Sequence, residues 1–133
     1  MAYTESQPTV SLVASSTFAN ADLYKFVGLT TNGEVVIGAT TAAGILGTLL
    51  SVTGTTAGAG VETVQVGLLS GVGKVRMPAT TEHAGSAIAA SSAGLGIAPT
   101  TSKTQIGTMV QGSSGTARIG SVLFHRQSED LAT

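Results

Sequence analysis

Asn32-Gly33 sits between two β-rich runs, Tyr24-Lys25-Phe26-Val27-Gly28-Leu29 before it and Glu34-Val35-Val36-Ile37 after it. Both residues of the pair tolerate the positive φ that a type I′ turn demands at its two central positions, so the stretch predicts a β-hairpin. The same pattern recurs along the chain. Apolar residues begin to alternate at Thr9-Val10-Ser11-Leu12-Val13, just after Pro8, and Gly44 to Val52 is an apolar run interrupted by Gly47. Val64, Val66 and Leu68 alternate with Thr63, Gln65 and Gly67; Val75 and Met77 alternate with Lys74 and Arg76. A period of two marks half-buried strands.

Pro78 closes that series, and Ala79 to Ala93 is weakly patterned, open to loop, short strand or a little helix. Gln105 to Val110 and Ala117 to His125 follow as two further runs, divided by Gly112-Ser113-Ser114-Gly115. Short strands separated by glycine-rich turns predict an all-β fold, a compact antiparallel β-sandwich or small β-barrel. The expected organisation is an extended N-terminal arm at residues 1–20, a β domain at 21–125 and a polar tail at 126–133, in a chain whose 133 residues suit one domain.

The chain also repeats a phrase. Shifted by 61 residues, Asn32-Gly33 falls on Ala93-Gly94 and Val27 on Ile88; after a one-residue gap, Leu46-Gly47-Thr48-Leu49-Leu50 falls on Ile106-Gly107-Thr108-Met109-Val110. Two units are too few for a solenoid. They fit two related β-units packed face to face.

Composition narrows the function. Only 10% of residues are charged, against about 25% in an average globular chain, and Ala, Gly, Ser and Thr stand in their place. So bland a surface is better suited to contact with another protein than to water, since depleted charge marks interface cores. The six basic residues, Lys25, Lys74, Arg76, Lys103, Arg118 and Arg126, are spread along a chain of net charge −1, which is no footprint for nucleic acid. There is no cysteine. The N-terminus lacks a basic stretch followed by an apolar one, and no apolar run approaches the ~18 residues of a membrane span; the expectation is a product made soluble in the cytoplasm.

Catalytic patterns are missing. Gly-x-Ser-x-Gly does not occur, and Gly54-Thr55-Thr56-Ala57-Gly58-Ala59-Gly60 and Gly71-Val72-Gly73-Lys74 lack the spacing of phosphate- or dinucleotide-binding turns. His83 and His125 share no motif, and Glu82-His83 falls short of the three or four ligands of a zinc site. Asp22, Glu34, Glu62 and Glu82 are isolated, and Glu129-Asp130 lie in the tail. The chain reads as no enzyme, with no cofactor and no metal. Lys74, Arg76 and Arg118 alternate with strand residues, either on a solvated face or against an acidic partner surface.

The arm leaves two readings open. Thr9, Val10, Ser11, Leu12 and Val13 are either an ordinary edge strand of the same domain or a segment that pairs with another chain's exposed sheet edge. In the second reading these five residues are the binding site.

The order of Asp22-Leu23-Tyr24-Lys25-Phe26-Val27-Gly28-Leu29, Asn32-Gly33, Ile45-Leu46-Gly47-Thr48-Leu49, Val64-Gln65-Val66, Gly71-Val72-Gly73-Lys74-Val75, Ala93-Gly94, Ile106-Gly107 and Ile119-Gly120-Ser121-Val122-Leu123 resembles the head decoration, or capsid cement, proteins of tailed bacteriophages over roughly residues 20–125. The arm and the Thr53–Gly60 linker depart from that pattern. The resemblance implies a β-rich structural protein on the outer surface of the virion head. It would bind the expanded capsid as a homotrimer, bridge major capsid protein subunits and stabilise the shell, with Thr9–Val13 reaching along a capsid sheet edge. The alternative is a carbohydrate- or receptor-binding β module of a phage tail or fibre. The scarcity of aromatic residues, Tyr3, Tyr24, Phe18, Phe26 and Phe124 without any Trp, weighs against it.

Overall fold

The computed structural model describes residues 7–38, 44–53, 62–78, 84–99, 105–112 and 118–125. The sequence features at Tyr3, Glu82, His83, most of the Thr53–Gly60 linker and the 126–133 tail lie outside these residues. The described residues form ten strands: β1 (Thr9–Val13), β2 (Phe26–Leu29), β3 (Val35–Ile37), β4 (Ile45–Leu49), β5 (Thr63–Leu68), β6 (Val72–Arg76), β7 (Ala87–Ala90), β8 (Gly96–Ile97), β9 (Gly107–Gln111) and β10 (Ile119–Phe124). The described residues hold no α-helix, only a 3-10 turn at Asn20–Asp22. The strands form two antiparallel five-stranded sheets that pack against each other, ordered β1-β5-β4-β2-β3 and β6-β10-β9-β7-β8.

The second order is the first with five added to every strand number, so the two sheets repeat one topology. Register repeats too. Thr48 on β4 lies between Phe26 on β2 and Gly67 on β5, and Thr108 on β9 lies between Ala87 on β7 and Leu123 on β10. The repeated phrase falls on these central strands. A Cβ on Gly47 would overlap the Gly67 carbonyl, and one on Gly107 would overlap the Val122 side chain and crowd the Leu123 carbonyl. Both glycines let a neighbouring backbone come close at the same place in each unit.

The hairpin turns match atom for atom. Thr30 N–H donates to the Glu34 carbonyl and Gly33 N–H to the Thr30 carbonyl, while Thr30 Oγ1 accepts the Asn32 and Glu34 N–H groups. Ser91, Ala93, Gly94 and Leu95 reproduce every one of these bonds, 61 residues on. The first hairpin stands where it was expected, but its turn is not type I′. Only Gly33 has positive φ, at 82°, because the threonine hydroxyl holds a three-residue loop in which one left-handed residue suffices.

Each unit has its own apolar cluster. Ala14, Phe18, Val27, Val35, Leu49, Val64 and Val66 form the first, and Val75, Met77, Ile88, Met109, Val122 and Phe124 form the second. Val27 corresponds to Ile88, Leu49 to Met109 and Val66 to Val122. The first cluster is closed by Phe18, whose N–H donates to Thr53 Oγ1 at 2.9 Å, and by a bridge between Ala14 and Val35 that draws β1 towards β3. The second is closed by Phe26, which crosses from β2 and meets Phe124 edge-on at 6.4 Å between ring centres. Neighbouring residues of one strand thus serve both cores: Val27 faces its own unit and Phe26 faces the other.

Ala79 to Ala93 was open to loop, strand or helix, and its described part contains β7 and half of a second hairpin. Residues 9–18, which fall in the expected arm, lie against the first unit. Val10 and Leu12 pack on the first cluster, and Ala14 and Phe18 are buried within it. The domain takes them in because without them one side of that cluster would face water.

Candidate protein-docking edge

Among the described residues, the polar side chains considered for chemistry do not converge. Asp22 pairs with Lys25 at 3.1 Å and also accepts the Ala19 N–H at 2.9 Å. Glu34 sits in the first hairpin turn and Glu62 precedes β5. His125 Nε2 lies 2.9 Å from Thr108 Oγ1 on the exposed face of the second sheet. Among the described residues no three of His, Asp and Glu come together as metal ligands do, and no helix is long and apolar enough to cross a membrane.

What the fold does present is the edge of β1. Val10 pairs with Val66 and Leu12 with Val64; Pro8 C=O accepts from Leu68 N–H and Ala14 N–H donates to Glu62 C=O, both at 2.8 Å. The even-numbered residues therefore turn their backbone groups inward to β5. Thr9, Ser11 and Val13 turn theirs the other way, to the outer edge of the sheet, which β3 meets only at the C-terminal end of β1, where Ala14 bridges to Val35 and Ser15 N–H donates to the Val35 carbonyl at 2.9 Å. The segment is held firmly in that position. Gln7 Nε2 donates to the Leu68 carbonyl at 2.9 Å and to Thr48 Oγ1 at 3.3 Å, its amide occupying space left by Gly67 and Gly73. Gln65 Nε2 donates to Ser11 Oγ.

Natural sheets protect such edges with Lys, Pro, bulges or very short strands. β1 has none of these along its five residues, and no charged residue occurs from Gln7 to Ala21. The contrast lies within the molecule. β6 is the counterpart of β1, carries Lys74 and Arg76, and has its outer edge engaged where Arg76 N–H donates to the Tyr24 carbonyl at 2.9 Å. Val13 stands where Arg76 stands in the repeat, with its N–H open. Thr9, Val10, Ser11, Leu12 and Val13 are thus one strand, in which Val10 and Leu12 pair with β5 and Thr9 and Ser11 turn their backbone groups to the outer edge.

A second feature was not visible beforehand. Tyr24 has φ 68°, and its counterpart in the repeat is Gly85 at 93°. A left-handed conformation costs an L-residue about 1–2 kcal/mol, and the second unit avoids that cost with glycine. The Tyr24 ring lies beneath Lys74 Nζ, 5.8 Å from its centre, at an open groove of about 480 Å³ lined also by Gln111, Ile119, Gly120 and Ser121. The signal in the sequence was faint: a tyrosine aligned with a glycine at the 61-residue shift.

No protein-family model matches the chain, and no curated protein matches it.

Proposed function

We propose that the chain is a structural virion protein that binds the outer surface of an expanded phage head as a homotrimer and stabilises it by bridging major capsid protein subunits. The observation that carries the reading is the uncharged, unprotected β1 edge, which is built to accept a strand from another protein. The order of motifs from Asp22 to Leu123, and a surface that has traded charge for small residues, support it further. Tyr24, the one aromatic at the groove, has a ring taken up by Lys74, which favours protein docking over sugar stacking.

The mechanism is mass action. A protein that binds only the assembled shell stabilises it by RT ln(1 + [L]/Kd) at each site, and the sites add. Docking as a trimer adds avidity, because one engaged protomer raises the effective concentration of the next.

Ser11→Pro tests this directly. Proline removes the edge-facing N–H of residue 11 and none of the bonds to β5, a position where sheets tolerate it. Stability should fall by no more than about 1 kcal/mol, mainly from the lost contact with Gln65. Co-sedimentation with empty expanded heads should weaken at least ~10-fold. Undiminished decoration by this variant would show that β1 is not the docking strand.

A further inference from the structure

Tyr24 and Gly85 occupy the same place in the two units. Tyr24 N–H donates to the Leu49 carbonyl at 2.8 Å and Gly85 N–H to the Met109 carbonyl at 2.7 Å, and both residues have a left-handed backbone, with φ 68° and 93°. Glycine takes that conformation freely and tyrosine does not. Space does not account for the difference, since a Cβ on Gly85 would meet no described atom within 4 Å. Nor does core packing, because Tyr24 is half-buried and stands in neither apolar cluster. A residue kept in a conformation that its counterpart meets with glycine argues for a use of its side chain.

The Tyr24 ring lines the groove between the two units. Lys74 Nζ stands over it, 5.8 Å from the ring centre, and Gln111, Ile119, Gly120 and Ser121 complete a lining around about 480 Å³, within the range of ~300–1,000 Å³ in which ligands are held. Lys74 brings the only charge to that lining. Among the described residues it meets no carboxylate, and the chain from Gln111 to Ile119 adds Arg118 and no acidic residue. Arg76, two residues along β6, is engaged within the molecule: Nε donates to the Leu23 carbonyl at 2.9 Å and Nη2 to the Asn20 carbonyl at 3.4 Å, fixing the segment that carries Tyr24.

We infer that this groove takes the carboxylate of an acidic side chain on a partner protein, with Lys74 as its counter-charge and the Tyr24 ring holding the ammonium in place. One ammonium matches one carboxylate. A phosphate ester, with about two negative charges, calls for several cations or a guanidinium fork, and the guanidinium of Arg76 is occupied. An ammonium already positioned over a ring loses less freedom on binding. The inference deepens the docking reading by giving the partner an acidic residue; it rests on that reading for the partner being a protein, and makes no use of the β1 edge.

The test is a nuclear magnetic resonance titration of the free protein, without heads, with an end-blocked tripeptide whose one acidic residue is glutamate. The amides of Gln111, Gly120 and Ser121 should shift saturably in the millimolar range, as suits a single ion pair, and the glutamine form of the peptide should leave them unmoved. Lys74→Gln, which keeps the stem and removes the charge, should weaken binding at least ~5-fold. Tyr24→Phe should retain binding, whereas Tyr24→Gly should weaken it ~3-fold with a melting temperature close to that of the wild type, because glycine restores the backbone of Gly85. Absent shifts with the glutamate peptide, equal shifts with the glutamine peptide, or tighter binding of inorganic phosphate would each overturn the inference. So would a Tyr24→Gly protein that melts far lower yet binds as before, since its ring would then serve packing alone. Each of these results leaves docking through β1 to its own measurement with heads.

Discussion

Deleting residues 1–14 is expected to unfold the first unit, with loss of the cooperative transition followed by far-ultraviolet circular dichroism. A detachable arm would predict an intact fold after such a truncation. The structure predicts the opposite, because the deletion removes Val10, Leu12 and Ala14 from the first cluster and strips β5 of one neighbour along the whole of its length from Thr63 to Gly67. Fully burying a Val or Leu side chain is worth about 1.5–3 kcal/mol and Val10 and Leu12 are half-buried, so with Ala14 the packing lost is about 3 kcal/mol before any ladder bond is counted. Domains of this size are stable by only about 5–15 kcal/mol in all. A truncated chain with an unchanged melting curve would mean that β1 is not part of the core.

Phe26→Ala should destabilise the protein by about 3–5 kcal/mol. Phe26 is fully buried, yet it belongs to the first sheet by chain and to the second cluster by contact. The repeat has Ala87 at the same register position, so the phenylalanine is the point at which two copies of one unit are made into an asymmetric pair. The loss should fall on the second unit, seen as earlier denaturant unfolding of the tertiary signal around Phe124. A double-mutant cycle with Phe124→Ala should return a coupling of about 1 kcal/mol for the edge-on ring pair. Additive effects of the two substitutions would place the rings outside a common core.

Much of the architecture was written in the local pattern. Alternation at Thr63–Leu68 and Lys74–Met77, the turn at Asn32-Gly33 and the recurring Gly-Thr phrase at Gly47 and Gly107 correspond to strands, a hairpin and paired central strands. The second hairpin was hidden because its strands are short and, apart from Ile88 and Ile97, made of Ala and Gly, whose small side chains carry little periodic signal. It became legible only through alignment with the first, where Ser91 and Gly94 do the work of Thr30 and Gly33.

The site was half legible. The sequence pointed to Thr9–Val13 as an uncharged strand in want of a partner and left open whether that partner was the same chain or another. The structure shows the partner within the chain: Val10 and Leu12 pair with β5, while antiparallel pairing sends the alternate backbone groups to the opposite side, the side on which the proposed docking rests. What local pattern could not convey was which edge of which sheet β1 occupies, because that depends on β5, more than fifty residues away. The positive φ at Tyr24 left only the faint trace of its alignment with Gly85, being a property of a backbone angle rather than of a residue type.

Amide hydrogen exchange, residue by residue along β1, tests the docking claim most directly. In the free protein the amides of Val10 and Leu12 should be protected by β5, while those of Thr9, Ser11 and Val13 exchange rapidly. On binding to expanded heads, the account predicts that these three become protected as well, giving an unbroken run from Thr9 to Val13. Rapid exchange at Thr9, Ser11 and Val13 in protein that has demonstrably bound the heads would contradict it.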